Sequence, residues 1–456
     1  MYFDHRSIIK DPLYIKFQAQ IEKFSFIEND KIIIAISGGL DSVTLLILLF
    51  SCQKYRLVNV HVNHGLHEDA DEHSLFVKTI SDNLKIPLYV KKLNPKKKNK
   101  SISTEEWARL ERYSFLNDIL EKIDGKYILT AHHGNDQAET LLMNLSRKTG
   151  VSGLKGIAKK RGKIIRPMLN ITKKEIIDFQ NRTSFNFIDD PTNHNISIPR
   201  NFLRNKIIQP WEMKYPEIIE GIMKSMQYFS EWETSLDFLI MEYLVPKIIR
   251  NKIEFIIPYK LIRTMPITLK VRLIKILTDN RNELWSKHQF QLVNHFLIKN
   301  HTGNIFHFSN GWSILHDRGK MIGKKDYYVK NNSTIINPNK IVIINNCEFG
   351  IDLKNTIPKV GNQDKLEIID WSKIKNKKLE IRTWKKGDYF QPLGMNGKQK
   401  LSDFLTNEKV DRFSKIAQFV FTADKEIFWV CGKRISNWAR VTKGTEETAI
   451  LTYKSF

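Results

Sequence analysis

The sequence predicts an α/β protein in which a parallel-sheet domain is followed by a mainly helical domain and a C-terminal α+β domain. Three observations support this prediction. Short β-branched runs alternate with helical patterns from about residue 28 to 200. Aromatic and long aliphatic residues mix with charged ones from about 206 to 330, and short apolar runs return after an Asn-rich stretch at 329–333. Strand–helix alternation is typical of a parallel sheet covered by helices.

The alternating region supplies the elements of the first domain, which is predicted over 1–210. Its strands are predicted at Lys31–Ile36, Leu57–Val62, Leu88–Lys91 and Tyr127–Ala131. Its helices are predicted at Val43–Gln53, Glu68–Lys85 and Ser103–Ile123. The first strand is short and β-branched, as a buried parallel strand is. The loops after these strands are therefore expected to form the site at one edge of the sheet.

The rest of the chain is predicted to form two further domains, at 211–330 and 335–456. The second domain is expected to be mainly helical and includes Ile267–Leu277 and His288–Lys299. The third domain contains the β-like runs Lys340–Ile344, Leu379–Trp384, Glu426–Val430 and Thr448–Tyr453. These runs indicate a mixed sheet.

The composition is that of a globular protein with a polyanionic partner. Hydrophobic residues make up 41% of the 456 residues, and the longest apolar run, 43–50, is too short to cross a bilayer. No apolar signal region opens the chain, so we expect a cytoplasmic protein. Lysine and arginine outnumber aspartate and glutamate by 73 to 49, which favours a partner rich in phosphate. Cys52, Cys347 and Cys431 are too scattered for a disulfide framework or a zinc cluster.

The run Ser37-Gly38-Gly39-Leu40-Asp41-Ser42 lies where the first predicted strand ends and a helix begins. The first backbone N–H groups of a helix have no partner within it, and the helix dipole favours an anion there. Glycine lets the backbone approach a phosphate closely. No Gly-x4-Gly-Lys-Ser/Thr run is present, which excludes the phosphate loop of the common NTPases. An ordinary strand-to-helix turn is the alternative, but the six-residue pattern favours a pyrophosphate-binding loop.

A second polar run, from Thr130 to Leu142, also lies between a strand and a helix. Asp136 and Glu139 are three residues apart and therefore share a helical face. Paired carboxylates near a triphosphate suit magnesium or a substrate cation, whereas helix capping is the structural alternative for Asp136. The histidines of His61–His67 could suggest a metal site, but a turn glycine among them favours a nucleotide-edge or structural role.

In their order along the chain, these motifs resemble those of the tRNA(Ile)-lysidine synthetases, a family within the PP-loop ATP pyrophosphatase superfamily with its adenine nucleotide α-hydrolase-like fold. The matching runs are Ser37–Ser42, His61–Leu66, Ala108–Tyr113, Thr130–Thr140, Gly150–Gly156, Arg166–Leu169, Asp190–Asn193 and Arg200–Asn205. Together they extend over essentially the first 210 residues. The stretches Arg382–Asp388 and Lys400–Phe404 are similar to that family's tRNA-binding C-terminal domain.

The resemblance implies an ATP-dependent ligase that acts on the wobble cytidine in the CAU anticodon of an isoleucine tRNA. Cytosine O2 would attack the α-phosphate of ATP and release pyrophosphate, leaving an adenylated base. The amine of free L-lysine would then attack C2, and AMP would leave. The modified base would be decoded with AUA in place of AUG.

The resemblance also implies roles for individual residues. The residues implied for nucleotide binding are Ser37, Gly38, Gly39, Leu40, Asp41, Ser42 and His132. Asp41 and Asp136 are implied as magnesium ligands. The residues implied for catalysis are Asp41, Asp136, Glu139, Arg112 and Arg204. Glu139 is expected to hold or deprotonate the lysine amine. Arg109, Arg112 and Arg204 are candidates for stabilising phosphate or the activated base.

Basic and aromatic residues supply candidates for contact with the tRNA. The basic runs are Lys91-Lys92, Lys96–Lys100 and Lys159–Lys163. In the C-terminal domain, Trp384 with Lys385-Lys386, and Trp438 with Arg434 and Arg440, combine cations with aromatic rings. A homodimer is compatible with the sequence but is not specified by it.

The chain departs from the family pattern in two pairs of residues, and two other functions stay open. Arg147-Lys148 stands where Arg-Gly is common in the family, and a basic residue there could still meet RNA phosphate. Family members usually carry Asp-Asp before Gln-Ala-Glu-Thr, whereas this chain has Asn135-Asp136. One alternative is a PP-loop tRNA thiolase, which typically needs reactive cysteines or an iron–sulfur cluster that the cysteine positions do not favour. The other is a non-catalytic tRNA- or nucleotide-binding protein, against which the carboxylates at 41, 136 and 139 argue.

Overall fold

The chain divides into two compact units, Met1–Phe238 and Leu239–Phe456. The computed structural model describes residues 5–65, 70–95, 102–189, 195–281, 283, 285–299, 301–326, 333–345, 347–354 and 366–455. The predicted runs Asp190–Asn193 and Lys96–Lys100 lie outside these residues. The predicted division into three domains stays a prediction.

The first unit consists of helices and strands that alternate over much of its length. Its helices are α1 His5–Ile8, α2 Pro12–Ile21, α3 Leu40–Ser51, α4 Ala70–Asn83, α5 Thr104–Lys122, α6 Gly134–Ser146, α7 Val151–Leu154, α8 Lys173–Thr183, α9 Pro199–Phe202, α10 Gln209–Lys214 and α11 Ile218–Leu239. Its strands are β1 Lys31–Ala35, β2 Arg56–Asn63, β3 Leu88–Lys92, β4 Tyr127–Leu129, β5 Lys160–Arg161 and β6 Ile164–Ile165. A π-helical turn, Leu203–Ile208, joins α9 to α10.

These strands form one sheet in the order β3-β2-β1-β4-β6-β5. All neighbours pair in parallel except β5 and β6. The chain builds outward from β1 through β2 to β3, and then returns to the other side of β1 with β4. The strand order therefore reverses between β1 and β4, and ligands of open parallel sheets bind in the crevice at such a reversal.

Successive residues of β1 point into the cores on opposite faces of the sheet. Ile32 and Ile34 pack with the apolar residues of α3, including Leu45 and Leu49. Ile33 packs on the other face with residues of α5, such as Leu116. The period of two in a fully buried strand fixes the direction of β1, and with it the position of the loop that follows at residues 36–39.

The second unit is richer in strands. Its helices are α12 Tyr259–Ile262, α13 Ile267–Leu277, α14 Lys287–Ile298, α15 Leu401–Asn407 and α16 Arg412–Ile416. Its strands are β7 Ile249–Arg250, β8 Glu254–Pro258, β9 Ile305–His307, β10 Trp312–Asp317, β11 Lys320–Lys325, β12 Ser333–Ile335, β13 Ile341–Ile344, β14 Cys347–Lys354, β15 Leu366–Asp370, β16 Leu379–Thr383, β17 Tyr389–Phe390, β18 Gln399–Lys400, β19 Phe419–Ala423, β20 Glu426–Val430, β21 Arg434–Ile435 and β22 Thr448–Ser455.

Four antiparallel sheets organise the described strands of this second unit. A five-stranded sheet, β7-β8-β11-β10-β9, packs with α13 and α14 around Phe255, Leu273 and Trp312. A second five-stranded sheet, β12-β16-β19-β20-β21, and a four-stranded sheet, β13-β14-β22-β15, share a core that contains Phe349 and Trp429. The pair β17-β18 completes the set.

The fold class predicted from the sequence is confirmed, and most predicted elements occur within a few residues of their predicted bounds. Ile267–Leu277 and Glu426–Val430 have the predicted bounds. The sheet β7-β8-β11-β10-β9 was not predicted, since residues 211–330 were expected to be mainly helical and its central pair, β8 with β11, joins segments more than sixty positions apart. The mixed sheet predicted for the C-terminal domain is wrong, because the described strands of that region pair antiparallel. Among the described residues, no helix is long and apolar enough to cross a bilayer.

Candidate active site

The candidate site lies in the first unit, where parallel strands end. The loop after β1 contains Ser37, and the loop after β4 contains His132 and His133. These two loops are neighbours because β1 pairs with β4. The sequence-predicted nucleotide residues and the predicted carboxylates therefore meet at the reversal of strand order, as parallel topology requires.

The loop Ser37–Ser42 is closed by the hydroxyl of Ser42. This hydroxyl accepts hydrogen bonds from the backbone N–H groups of Ser37 and Gly38, each at 3.2 Å, and donates to the Gly39 carbonyl at 2.9 Å. Gly38 has φ +91°, and a Cβ atom there would lie 3.3 Å from Val77. The loop thus needs glycine at position 38 for its backbone conformation, whereas Gly39 begins α3 with an ordinary extended conformation.

Asp41, in the first turn of α3, is bracketed by two cationic side chains. Its Oδ1 atom accepts from Lys173 Nζ at 2.6 Å, and its Oδ2 atom lies 3.4 Å from His133 Nε2. Burial alone would raise the pKa of Asp41, but His133 and Lys173 hold that pKa well below its usual range. Asp41 is therefore ionised throughout the physiological pH range, and its side chain is still 32% exposed.

His133 joins the loop after β1 to the start of α6. Its Nε2 atom faces both Asp41 Oδ2, at 3.4 Å, and Asp136 Oδ2, at 3.7 Å. Burial acts to lower the pKa of His133, yet the two carboxylates raise it above the ordinary value of 6.5. Its Nδ1 atom is buried without a hydrogen-bond partner. The His133 imidazole therefore lies between the two carboxylates that the family resemblance implies as magnesium ligands.

Asp136 and Glu139 lie on one face of α6 and contact two arginines. Arg200 Nη2 donates to Asp136 Oδ1 at 2.7 Å, and Arg200 Nε donates to Glu139 Oε2. Arg204 Nε donates to Glu139 Oε1 at 2.6 Å. We call these four residues the arginine cluster. Glu139 is 0% exposed, so both of its oxygens are occupied by arginine and neither is open to solvent.

A helical segment with a wider turn presents both arginines to α6. Arg200 lies in α9, and Arg204 lies in the π-helical turn that follows. Turns of this type occur frequently at functional sites because they change the direction of side chains along a helix. Burial acts to lower the pKa of Arg200, but Asp136 and Glu139 raise it. These carboxylates therefore favour the charged form of Arg200.

Asn135 connects α6 with two neighbouring elements. Its Oδ1 atom accepts from the backbone N–H of Lys173 at 2.9 Å, and its Nδ2 group donates to Glu212 Oε2 at 2.9 Å. A side-chain amide can accept and donate at once, whereas an ionised aspartate can only accept. Burial raises the pKa of Glu212. Asn135 replaces the first aspartate of the usual Asp-Asp pair, and its amide donates to the Glu212 carboxylate. An aspartate at position 135 would face that carboxylate without a donor.

His132 is a neutral member of the site. Burial lowers its pKa to about 3, although Asp136 acts in the opposite direction, and Arg166, Arg200 and Arg112 lower it further. The Nδ1 atom of His132 lies 2.9 Å from the Thr130 hydroxyl. A neutral imidazole of this kind can contact a nucleotide base or ribose without adding charge.

Arg112 lies near His132 and has no carboxylate partner within ion-pair distance among the described residues. Its guanidinium carbon lies 5.6 Å from the centroid of the Tyr113 ring, and burial lowers its pKa. Burial and Arg112 together lower the pKa of His64 to about 4. The Tyr113 hydroxyl is buried without a partner. Arg112 is therefore a cation that can pair with a ligand anion, and its predicted role toward phosphate or the activated base stays a prediction. Arg109 stacks on the same Tyr113 ring at 5.2 Å.

The donor set fits magnesium bound jointly by protein and nucleotide. Within the described ranges, no group of three or more His, Cys, Asp and Glu side chains is placed to hold a metal ion by itself. Nucleotide-bound Mg²⁺ usually takes only one or two carboxylates and completes its shell with phosphate and water. Asp41 and Asp136 supply that number and face one common nitrogen, His133 Nε2.

Three site residues were not assigned a role from the sequence. Lys173 follows no recognisable catalytic pattern, and only folding brings it 132 positions back to Asp41. Arg200 lies in the family-like run Arg200–Asn205, in which only Arg204 was predicted to have a catalytic role. His133 is the capping residue just before α6, and this position is the sequence signal that could have identified it as a site residue.

Comparison with known proteins agrees with this geometry. A family model described as the PP-loop domain matches residues 13–211. A tRNA(Ile)-lysidine synthase from Parabacteroides distasonis is 27% identical over 439 residues, which cover 95% of this chain and 98% of the relative. The tRNA(Ile)-lysidine synthase from Bacteroides thetaiotaomicron is 29% identical, with coverage of 93% and 96%.

A solved structure of a U34-tRNA thiolase from Methanococcus maripaludis aligns with a TM-score of 0.43 and 17% identity. The alignment covers 50% of this chain and 80% of the thiolase, and a likeness this low carries no conclusion about function.

The reversal of strand order, the Ser37–Ser42 loop and the match over 13–211 define a PP-loop protein. Relatives that match this chain over nearly its whole length indicate a narrower family within that class. Over nearly its whole length the chain is similar to tRNA(Ile)-lysidine synthases, as the motifs predicted.

Proposed function

We propose that the chain is an ATP-dependent ligase that attaches L-lysine to C2 of the wobble cytidine in the CAU anticodon of an isoleucine tRNA. The observation that carries this proposal is the meeting of the Ser37–Ser42 loop with Asp41, Asp136 and the arginine cluster at one reversal of strand order. The full-length similarity to tRNA(Ile)-lysidine synthases supports it.

In the first step, cytosine O2 attacks the α-phosphate of ATP and pyrophosphate leaves. Such a transfer depends on positioning and on neutralising phosphate charge more than on covalent help from the protein. The N-terminus of α3 and the Ser37–Ser42 loop would hold the phosphates. Arg112, which has no carboxylate partner among the described residues, would stabilise phosphate or the adenylated base. Mg²⁺, held by Asp41 and Asp136, would neutralise further phosphate charge.

In the second step, the amine of lysine attacks C2 and AMP leaves. The amine must be neutral to attack, so a carboxylate that accepts its proton assists the step. Both carboxylates already accept hydrogen bonds: Asp136 from Arg200 and from the backbone N–H of His133, and Glu139 from the two arginines. Asp136 is the more accessible acceptor, because its side chain is 12% exposed and that of Glu139 is 0% exposed. The proposed role of Glu139 in contacting lysine thus requires Arg200 or Arg204 to move. As the chain stands, Glu139 orients those arginines.

The strand-rich second unit is proposed to contribute to tRNA binding. Lys385 and Lys386 follow Trp384, whose indole N–H donates to the Lys415 carbonyl. The Lys377 ammonium lies 4.8 Å from the centroid of the Trp438 ring. The sequence had instead paired Trp438 with Arg434 and Arg440. The tryptophans therefore support the fold, and the lysines beside them are the candidates for RNA phosphate. Homodimer formation and a cytoplasmic location stay predictions.

Incubation of the full chain with a CAU-anticodon tRNA(Ile) transcript, ATP and L-lysine tests this proposal. Nucleoside mass spectrometry is expected to show cytidine heavier by one lysine residue, together with release of AMP and pyrophosphate. Asp41→Ala should abolish both products, because it removes the carboxylate beside the phosphate loop. A sulfur-sized gain, or binding of tRNA and ATP without any product, would contradict the proposal. Retention of more than half of the product by Asp41→Ala would contradict the assignment of the loop.

A further inference from the structure

Lys173 is a cation of the site that the proposed mechanism does not use. It is the first residue of α8, and its ammonium donates to Asp41 Oδ1 at 2.6 Å. The side chains of Lys173 and Asp41 are 34% and 32% exposed, so the pair borders solvent. Exposed ion pairs contribute little to stability, which leaves the placement of this lysine beside the phosphate loop to be explained by something else.

The charges around this pair favour an anionic ligand. The positive end of the α8 dipole disfavours cations, yet the helix begins with Lys173 and Lys174. Asp41 Oδ2 also lies 3.4 Å from His133 Nε2. One carboxylate is therefore shared by two basic side chains. The excess positive charge lies beside the N-terminus of α3, where the dipole likewise favours an anion.

The backbone of Lys173 is fixed, whereas its side chain can move. The backbone N–H of Lys173 donates to Asn135 Oδ1 at 2.9 Å. Thr172 caps the helix, and its own N–H donates to Glu175 Oε2 at 2.7 Å. The lysine stem has four rotatable bonds beyond this anchor. The ammonium can therefore exchange Asp41 for a second anion nearby without any change in the fold.

We propose that Lys173 is a further phosphate-binding residue of this site, whose ammonium passes from Asp41 to the β- and γ-phosphate oxygens when ATP binds. The inference rests on the proposed function only in taking ATP as the ligand. It assigns Lys173 to the pyrophosphate part of the nucleotide, and it leaves the base and the lysine substrate to other residues. After pyrophosphate has left, the ammonium returns to Asp41.

Lys173→Met in the full chain, with Lys174→Met as the matched control, tests this assignment. A charge-assisted contact to phosphate accounts for about a 10- to 100-fold change in affinity. We expect Lys173→Met to raise the KM for ATP by that factor in tRNA-dependent pyrophosphate release, with an unchanged KM for lysine. Lys173→Arg should restore most of the ATP affinity, and Lys174→Met should behave like the unsubstituted chain.

Titration calorimetry with inorganic pyrophosphate, without tRNA or lysine, supplies a readout independent of ligation. Lys173→Met should bind pyrophosphate more weakly by a similar factor, while its melting temperature stays near that of Lys174→Met. If Lys173→Met binds ATP and pyrophosphate normally, or if the KM for lysine rises instead, the assignment is wrong. If the unsubstituted chain binds ATP and pyrophosphate but attaches no lysine to tRNA, the proposed function fails while this inference stands.

Discussion

Two parts of the site use the same kinds of charged residues under opposite conditions. On the phosphate side, Asp41 and Lys173 form a pair that is about one-third exposed. In the arginine cluster, Glu139 is fully buried and accepts from two arginines. An exposed pair can exchange partners with a ligand at little cost, whereas a buried carboxylate that loses its partners is strongly destabilised. Burial, rather than residue type, therefore separates the groups available to ligands from those that hold the geometry.

The largest expected effect comes from breaking the arginine cluster. Arg200→Met removes a partner of the fully buried Glu139 and of Asp136, and we expect the free energy of unfolding of the first unit to fall by about 3 kcal/mol because a buried carboxylate loses part of its compensation. Urea denaturation followed by circular dichroism measures this change. Asp41→Ala, on the phosphate side, should lower the stability by less than about 1 kcal/mol. Equal losses in the two variants would remove the distinction between the two parts of the site.

Asn135 hydrogen-bonds to Glu212 and to the backbone N–H of Lys173. The contact with Glu212 is expected to depend on the side-chain amide of Asn135. Asn135→Asp places a carboxylate against Glu212, which should cost about 1–3 kcal/mol because a hydrogen bond becomes a repulsive contact. One of the two carboxyls then has a raised pKa in the folded state, so stability should fall as pH rises above the ordinary carboxyl range and level off above the raised pKa.

The rescue variant for this prediction is Asn135→Asp combined with Glu212→Gln. The amide of Gln at position 212 can donate to the new aspartate, so the stability should return and the added fall of stability with rising pH should disappear. Denaturation at a series of pH values checks this expectation. A double variant as unstable as Asn135→Asp alone would show that the contact with Glu212 does not cause the loss.

Two adjacent glycines allow a sharper test of the phosphate loop. Gly38→Ala forces a side chain into a backbone with φ +91°, and we expect it to lower stability by about 1–2 kcal/mol. Gly39→Ala adds a Cβ with nothing nearer than 3.6 Å and should fold normally. Thermal unfolding of both variants measures the difference. A Gly39→Ala variant less stable than Gly38→Ala would contradict the loop conformation.

The smallest expected effect is the pH dependence that His133 contributes. Its pKa is raised in the folded protein, so its stabilising interaction is complete below pH 6.5 and is lost as pH rises through the raised pKa. His132 and His64, whose pKa values are lowered, change stability only below that pH. His133→Gln should therefore flatten the stability profile above pH 6.5, as measured by urea denaturation. An unchanged slope would exclude His133 as its source.

Local patterns in the sequence were sufficient to predict the first sheet and the loop. The β-branched run at Lys31–Ala35 and the glycines that follow it depend on interactions within a few residues, which a linear pattern records. The strands β8 and β11 pair across more than sixty positions, and neither carries a strong local signal. Their sheet could not be predicted, because its stability comes from partners that are distant in the chain.

The sequence by itself determined the parallel-sheet fold, the Ser37–Ser42 loop and the positions of the carboxylates at 41, 136 and 139. Those features follow from hydrophobic periodicity and from short motifs with their own chemistry. Only the tertiary structure decided that Lys173 pairs with Asp41, that Arg200 shares Glu139 with Arg204, and that Asn135 faces Glu212. Each of these contacts joins residues from separate elements. Their charge states and burial are set by the low dielectric and close packing of the folded crevice, which a linear pattern does not contain.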